Sequence, residues 1–259
     1  MRHVSSKAKQ PRRGTTNEWR RVGLARALSK LGFCSRSQAE RLIRDGGVRL
    51  NGAVQHDPES PVLFGRDRIE VHGKPVRATE KVYWMLNKPR GLVTTAADEN
   101  GRPTVYTSLS SRLPWVAPVG RLDKASEGLL LLTNDPEWAA KVTVPESHVS
   151  KVYHVQVSGL HNADLPGALV KGFAVSTGDV LKVRDARILR QGDRNTWLAL
   201  TLDEGKNRHI RRMLEQLGIE VLRLVRVAIG PLELGNLAKG ASRPLTEQEK
   251  RALDRALGA

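Results

Sequence analysis

An arginine and an aspartate stand two apart in Gly120-Arg121-Leu122-Asp123, and Glu127-Gly128 then turns the chain into Leu129-Leu130-Leu131-Leu132-Thr133-Asn134-Asp135. The leucines form a run expected to be buried on both faces, so the loop before them is anchored on rigid scaffold. A carboxylate at the rim of a packed core needs a partner or a purpose. From these residues alone, Arg121 and Asp123 read as a structural ion pair at a strand edge or as charges that rigid scaffold holds in place for a purpose.

Two further segments carry candidate chemistry. In Lys151-Val152-Tyr153-His154-Val155-Gln156-Val157, period-two alternation puts Tyr153 on the same inward face as Val155 and Val157. Tyr153 is then either an ordinary core tyrosine or a ring placed where the core opens. In Gly205-Lys206-Asn207-Arg208-His209-Ile210-Arg211-Arg212-Met213-Leu214, a helical stripe of Ile210, Met213, Leu214 and Leu217 leaves Arg208, Arg211, Arg212 and Glu215 on the opposite face. Arg211 lies nearest the apolar boundary and can reach inward to a carboxylate. The others read either as a solvated basic face or as phosphate ligands.

The elements that must position these groups follow from periodicity. Residues 1–21 are basic, without apolar period, and read as a disordered arm. Leu24, Ala27, Leu28 and Leu31 mark a helix that Gly32 stops, and Ser35-Arg36-Ser37-Gln38 fits the start of a second, with Ala39, Leu42 and Ile43 inward. Asn51-Gly52 is the strongest hairpin signal in the chain, and Ile69 and Val71 suggest a further strand. Residues 22–73 thus form a helix-helix-hairpin unit, with Arg26, Arg36, Arg41 and Arg44 as candidate RNA contacts and a DNA-binding helix-turn-helix as the alternative. A linker at 74–80 precedes strand-like segments near 81–86, 129–133, 151–157, 180–190, 196–202 and 221–229. Few helices fall between them, which predicts an α+β fold with a mostly antiparallel sheet over 81–245. The charged helix at 246–259 is expected to be a solvated terminal element.

Charge points to a polyanionic partner: 43 Lys and Arg against 27 Asp and Glu give a net charge of +16. The single cysteine, Cys34, excludes an internal disulfide and a cysteine-based zinc cluster. The seven histidines are scattered, with no HExxH, Walker loop, GxGxxG or GxSxG, so neither metal nor cofactor is expected. With no membrane-length apolar run and no signal-peptide pattern, a cytosolic protein is expected, monomeric by default.

The stretch from Gly23 to Glu40, with Val48-Arg49-Leu50-Asn51-Gly52, resembles an S4-like (alpha-L) RNA-binding domain. Gly120-Arg121-Leu122-Asp123, Gly128 through Asp135, Lys151-Val152-Tyr153, Glu204 through Met213 and Arg226 through Leu232 together resemble the RsuA/RluB family of ribosomal RNA pseudouridine synthases. The resemblance implies a cofactor-free isomerase that detaches a uracil, rotates it and rejoins it through carbon. It implies Asp123 as nucleophile, Tyr153 as the residue stacking on the flipped base, Arg211 as the partner of the aspartate, and Arg121 as the side chain filling the space the nucleotide leaves. Ribosomal RNA or a pre-ribosomal particle is the implied partner, with 23S preferred over 16S because Glu99 through Val105 is closer to that branch. Lys124-Ala125-Ser126, Pro136 and His209 depart from the family pattern. The competing expectation is a noncatalytic assembly factor that retains the synthase fold.

Overall fold

The computed structural model describes residues 21–96, 98, 100–162, 164–174, 178 and 180–258. The expected basic arm, apart from Arg21, lies outside the described residues, as does Glu99. The chain divides into two compact units, one running to Leu28 and resuming at Arg36–Arg77, the other taking Ser29–Ser35 and the chain from Ala78.

The first unit carries β1 (Val22–Gly23), most of α1 (Leu24–Lys30), α2 (Arg36–Arg44), β2 (Val48–Leu50), β3 (Ala53–Gln55), β4 (Pro61–Val62), β5 (Ile69–Val71) and β6 (Lys74–Pro75). Leu24, Ala27, Leu28, Ala39, Ile43, Val48, Ile69 and Val71 are buried. Asn51 and Gly52 take φ of 52° and 87°, the paired left-handed conformation that closes a two-residue hairpin between β2 and β3. Lys74–Pro75 is not linker: it pairs with β5 as the edge of a sheet ordered β3, β2, β5, β6. A Lys-Pro pair carries little strand signal, but proline is tolerated on an edge strand.

The second unit is built on one mixed sheet. Its strands are β7 (Tyr83–Lys88), β8 (Ala117–Val119), β9 (Glu127–Thr133), β10 (Lys151–Ser158), β13 (Asp185–Gln191), β14 (Asn195–Leu202), β15 (Val221–Ile229), β16 (Leu232–Glu233) and β17 (Ser242–Pro244), with β11 (Phe173–Ala174) and β12 (Val180–Leu181) paired apart. The order across the sheet is β13, β14, β10, β15, β9, β7, β17, and only β9 beside β15 runs parallel. The helices are α3 (Pro136–Thr143), α4 (Asp164–Lys171), α5 (His209–Gln216) and α6 (Glu247–Ala256).

Every residue of β9 is buried. Leu129 and Leu131 face a core containing Trp138 and Val142 of α3 and Leu253 of α6, while Leu130 and Leu132 face Leu86, Val105, Val116 and Leu122. Gly128 has φ of 101°, and a Cβ there would lie 2.2 Å from the Arg226 carbonyl oxygen, so only glycine permits this closeness of β9 to β15.

Two sequence expectations change here. Pro136 opens α3 at the first helical position, behind Asp135, whose carboxylate accepts from the Glu137 and Trp138 amides. The C-terminal helix is docked rather than solvated: Leu253 is fully buried, and Trp138 Nε1 donates to Asp254 at 2.9 Å. Its dense charges lie on the faces beside a single apolar anchor, which a reading by charge alone overlooks.

Candidate active site

Asp123 sits on the loop between β8 and β9, and the carbonyl oxygens of that loop are held one after another. Thr94 Oγ1 donates to Leu122 O at 2.7 Å, and the Gly91 amide donates to Lys124 O at 2.8 Å. Arg211 Nη2 donates to Ala125 O at 3.2 Å. Lys88 Nζ reaches Asp123 O at 3.2 Å, Ser126 O at 2.8 Å and Pro89 O at 3.1 Å. The loop is therefore fixed by donors from two separate parts of the chain, residues 88–94 and α5, and its geometry exists before any substrate arrives.

The Asp123 side chain is treated differently. It is half-buried, and among the described residues no group hydrogen-bonds to its carboxylate or pairs with it within 4.0 Å. Arg121 is exposed and makes no ion pair with it, which removes the strand-edge ion pair from consideration. Arg211 acts on Asp123 through charge, its hydrogen bond going to Ala125 two residues on. Burial and the adjacent Arg208 charge weigh against the protonated form of Arg211, and the Asp123 carboxylate opposes them.

Asp123, Tyr153, Arg121 and Arg208 line one cavity of about 680 Å³, together with Leu224 and Arg226. Tyr153 stands half-buried where two parts of the core meet. Arg208 begins α5 in a left-handed conformation, φ 49°, and is exposed, while Arg212 is half-buried. His209 is buried, and burial lowers its pKa, so a neutral ring stands at the start of α5. Lys124 is exposed and Ser126 is buried.

Three charged residues escaped the sequence reading. Lys88 is fully buried, and burial pulls its pKa down to about 8 against the favourable charges of Asp123 and Glu127. Glu127 is buried and receives Arg223 at 3.1 Å and Lys239 at 2.5 Å; burial opposes its ionisation, but these bonds prevail and hold its carboxyl below the usual range. Arg226 is 6% exposed and donates through Nε to Leu129 O at 2.8 Å. Lys88 falls just beyond the strand expected near 81–86. Its only sequence signal is a charge at the next alternate position after Val82, Trp84 and Leu86.

A model described as RNA pseudouridylate synthase matches residues 82–216, and an S4 domain model matches residues 22–69. The chain is 38% identical over 231 residues to the ribosomal large subunit pseudouridine synthase B of Bacillus subtilis, covering 89% of this chain and 94% of that one. The chain belongs to the RNA pseudouridylate synthase family. It is 37% identical over 238 residues to an uncharacterized RNA pseudouridine synthase of Aquifex aeolicus, covering 92% of this chain and 95% of the relative. The crystal structure of a pseudouridylate synthase, 30% identical, superposes with a TM-score of 0.63 over 90% of this chain and 99% of its own. This pseudouridylate synthase is an isomerase, with an S4 domain ahead of the synthase domain.

Proposed function

We propose that the enzyme isomerises one structured uridine of ribosomal RNA, in the large subunit, with Asp123 as nucleophile and no cofactor. The observation that carries this reading is the unbonded, half-buried Asp123 carboxylate on a loop whose carbonyls from Leu122 to Ser126 are all held, facing a cavity shared with Tyr153 and Arg208. A carboxylate suits cleavage of a glycosidic bond, because it can attack or stabilise the electron-poor sugar and then leave. Tyr153 stacks on the flipped base. Arg211 keeps the loop in register through its bond to Ala125 O and sets a positive charge near Asp123. Arg121 and Arg208 meet the RNA backbone, with Arg121 filling the gap left by the extruded nucleotide, where unstacking costs a few kcal/mol. Arg212 extends the basic side of α5.

Arg26, Arg36, Arg41 and Arg44 are all exposed on the S4 unit and supply affinity for phosphates. The large-subunit target is supported by the Bacillus subtilis relative's name and by the Glu99 to Val105 stretch. The enzyme works as a monomer in the cytoplasm, and no helix among the described residues is long and apolar enough to cross a membrane. Carbodiimide-dependent primer-extension stops in ribosomal RNA from cells with and without the gene test the reading. Loss of one large-subunit stop is expected; an unchanged pattern overturns it.

A further inference from the structure

Arg226 enters the cavity from β15, directly beside Tyr153 on β10. The residue is buried, yet among the described residues only Nε of its five N–H donors has a partner, and Nη2 is closed off from solvent with none. Arg211 also keeps a buried Nε without a partner, but two other neighbouring cations are fully engaged. Arg223 closes both prongs on Glu127, and Lys88 gives its donors to carbonyl oxygens. A guanidinium keeps its charge at every working pH, so an unpaired fork in a low-dielectric site is costly until an acceptor arrives.

The described residues do not supply that acceptor. Asp203 and Glu204 line the same cavity, but their carboxylates are taken by Arg184 at 3.2 Å and Lys206 at 3.1 Å. Asp123 makes no ion pair with Arg226 within 4.0 Å. The position of Arg226 is also rigid, because its backbone lies against Gly128 at the parallel junction of β9 and β15. The missing acceptor therefore comes with the substrate. A flipped nucleotide enters base first while its phosphates stay at the mouth, near the exposed Arg121 and Arg208. The buried acceptors are then the carbonyl oxygens of the base.

We propose that the Nη groups of Arg226 donate to a carbonyl oxygen of the flipped uracil and hold the negative charge that gathers there when the base departs. The inference rests on the proposed function and deepens it. In the first step a carboxylate oxygen of Asp123 bonds to C1′ as the C1′–N1 bond breaks, and the electron pair of that bond leaves on N1 and spreads onto the carbonyl oxygens. In the second, C5 bonds to C1′ as the carboxylate leaves, one proton is lost from C5 and one is gained at N1, so the isomerisation balances without a co-reactant. Arg226 strengthens its hold as charge develops, which accelerates the first step rather than binding alone.

The test uses the full-length enzyme and an unmodified transcript of the source organism's large-subunit ribosomal RNA, made with uridine or with 5-fluorouridine. Conversion under single-turnover conditions is read by mass spectrometry of nucleoside digests. Fluorine at C5 makes the base a better leaving group, so it needs less help from Arg226; with no proton to lose from C5, the rejoined base keeps its fluorine and takes up water across N1 and C6, and conversion in that arm is read by the mass of the water gained. Arg226→Gln is expected to slow uridine conversion about 100-fold and 5-fluorouridine conversion about tenfold or less, with little change in the RNA concentration for half-saturation. Arg226→Lys, which keeps a buried cation without the fork, gives the same comparison if the Gln variant melts below assay temperature, with about tenfold loss on uridine and less on 5-fluorouridine. Equal losses on both transcripts, or no loss on uridine, overturn the inference. A wild-type enzyme inactive on the uridine transcript overturns the proposed function, and this inference with it.

Discussion

Lys88 is the side chain on which the placement of Asp123 most depends. Its ammonium ties the carbonyls on either side of the tight Asp123 to Ser126 turn to the end of β7, and it brings a positive charge under the carboxylate. Lys88→Met removes those donors while keeping the volume. It is expected to cost about 2 kcal/mol, read by urea unfolding, because buried carbonyls lose their partners. It should also lower kcat far more than it alters RNA affinity. The pH dependence carries a second signature. Below about pH 8 Lys88 is charged in both native and unfolded states, and the native state bears the full cost of burying that charge. Above pH 8 the native state releases the proton first, so this group's contribution to stability rises with pH up to its unfolded value of 10.5. Activity moves the other way, because the loop loses its ammonium. A kcat that keeps climbing through pH 9 contradicts this role.

At the scale of elements, β9 is the hinge of the site. Its four leucines announced burial on both faces, and the structure divides them alternately between two cores. The same regularity made the Asp123 loop, the Tyr153 strand and the Arg211 helix readable, since each depends on local period. What did not read from sequence depends on long-range pairing. Lys88 meets Ser126, Arg223 meets Glu127 and Arg226 meets Leu129 only once the strands are assembled. A charged residue at a strand end carries no local sign of the carbonyl or carboxylate waiting across the sheet. Glu127→Gln leaves Arg223 and Lys239 without their buried counter-charge and is expected to cost about 3 kcal/mol in thermal or urea unfolding at pH 7. As a carboxylate held below its usual range, Glu127 gives stability that is present above its unfolded pKa and fades as pH falls through the folded value. The wild type and Glu127→Gln should therefore converge in stability toward acid. For α6, Leu253→Ala should cost about 3 kcal/mol, as expected for a fully buried leucine and not for a solvated helix.

Across the whole molecule, the proposed function assigns the charge of +16 and the exposed arginines of the S4 unit to affinity rather than chemistry. Replacing Arg36, Arg41 and Arg44 together by Ala is expected to weaken RNA binding. The dependence of log affinity on log salt should flatten by about 0.7 to 0.9 for each phosphate that is no longer neutralised. Stability should barely move, since the Arg44 and Glu40 pair at 3.5 Å is exposed and worth little. Unchanged salt dependence would place the RNA elsewhere. The division between binding and chemistry is tested most directly at Asp123. Purified wild type and Asp123→Asn are incubated with the unmodified large-subunit transcript, and pseudouridine is counted by carbodiimide-dependent primer-extension stops alongside RNA affinity. The account predicts equal affinity with no stop above background for Asp123→Asn; substantial pseudouridine from that variant contradicts it.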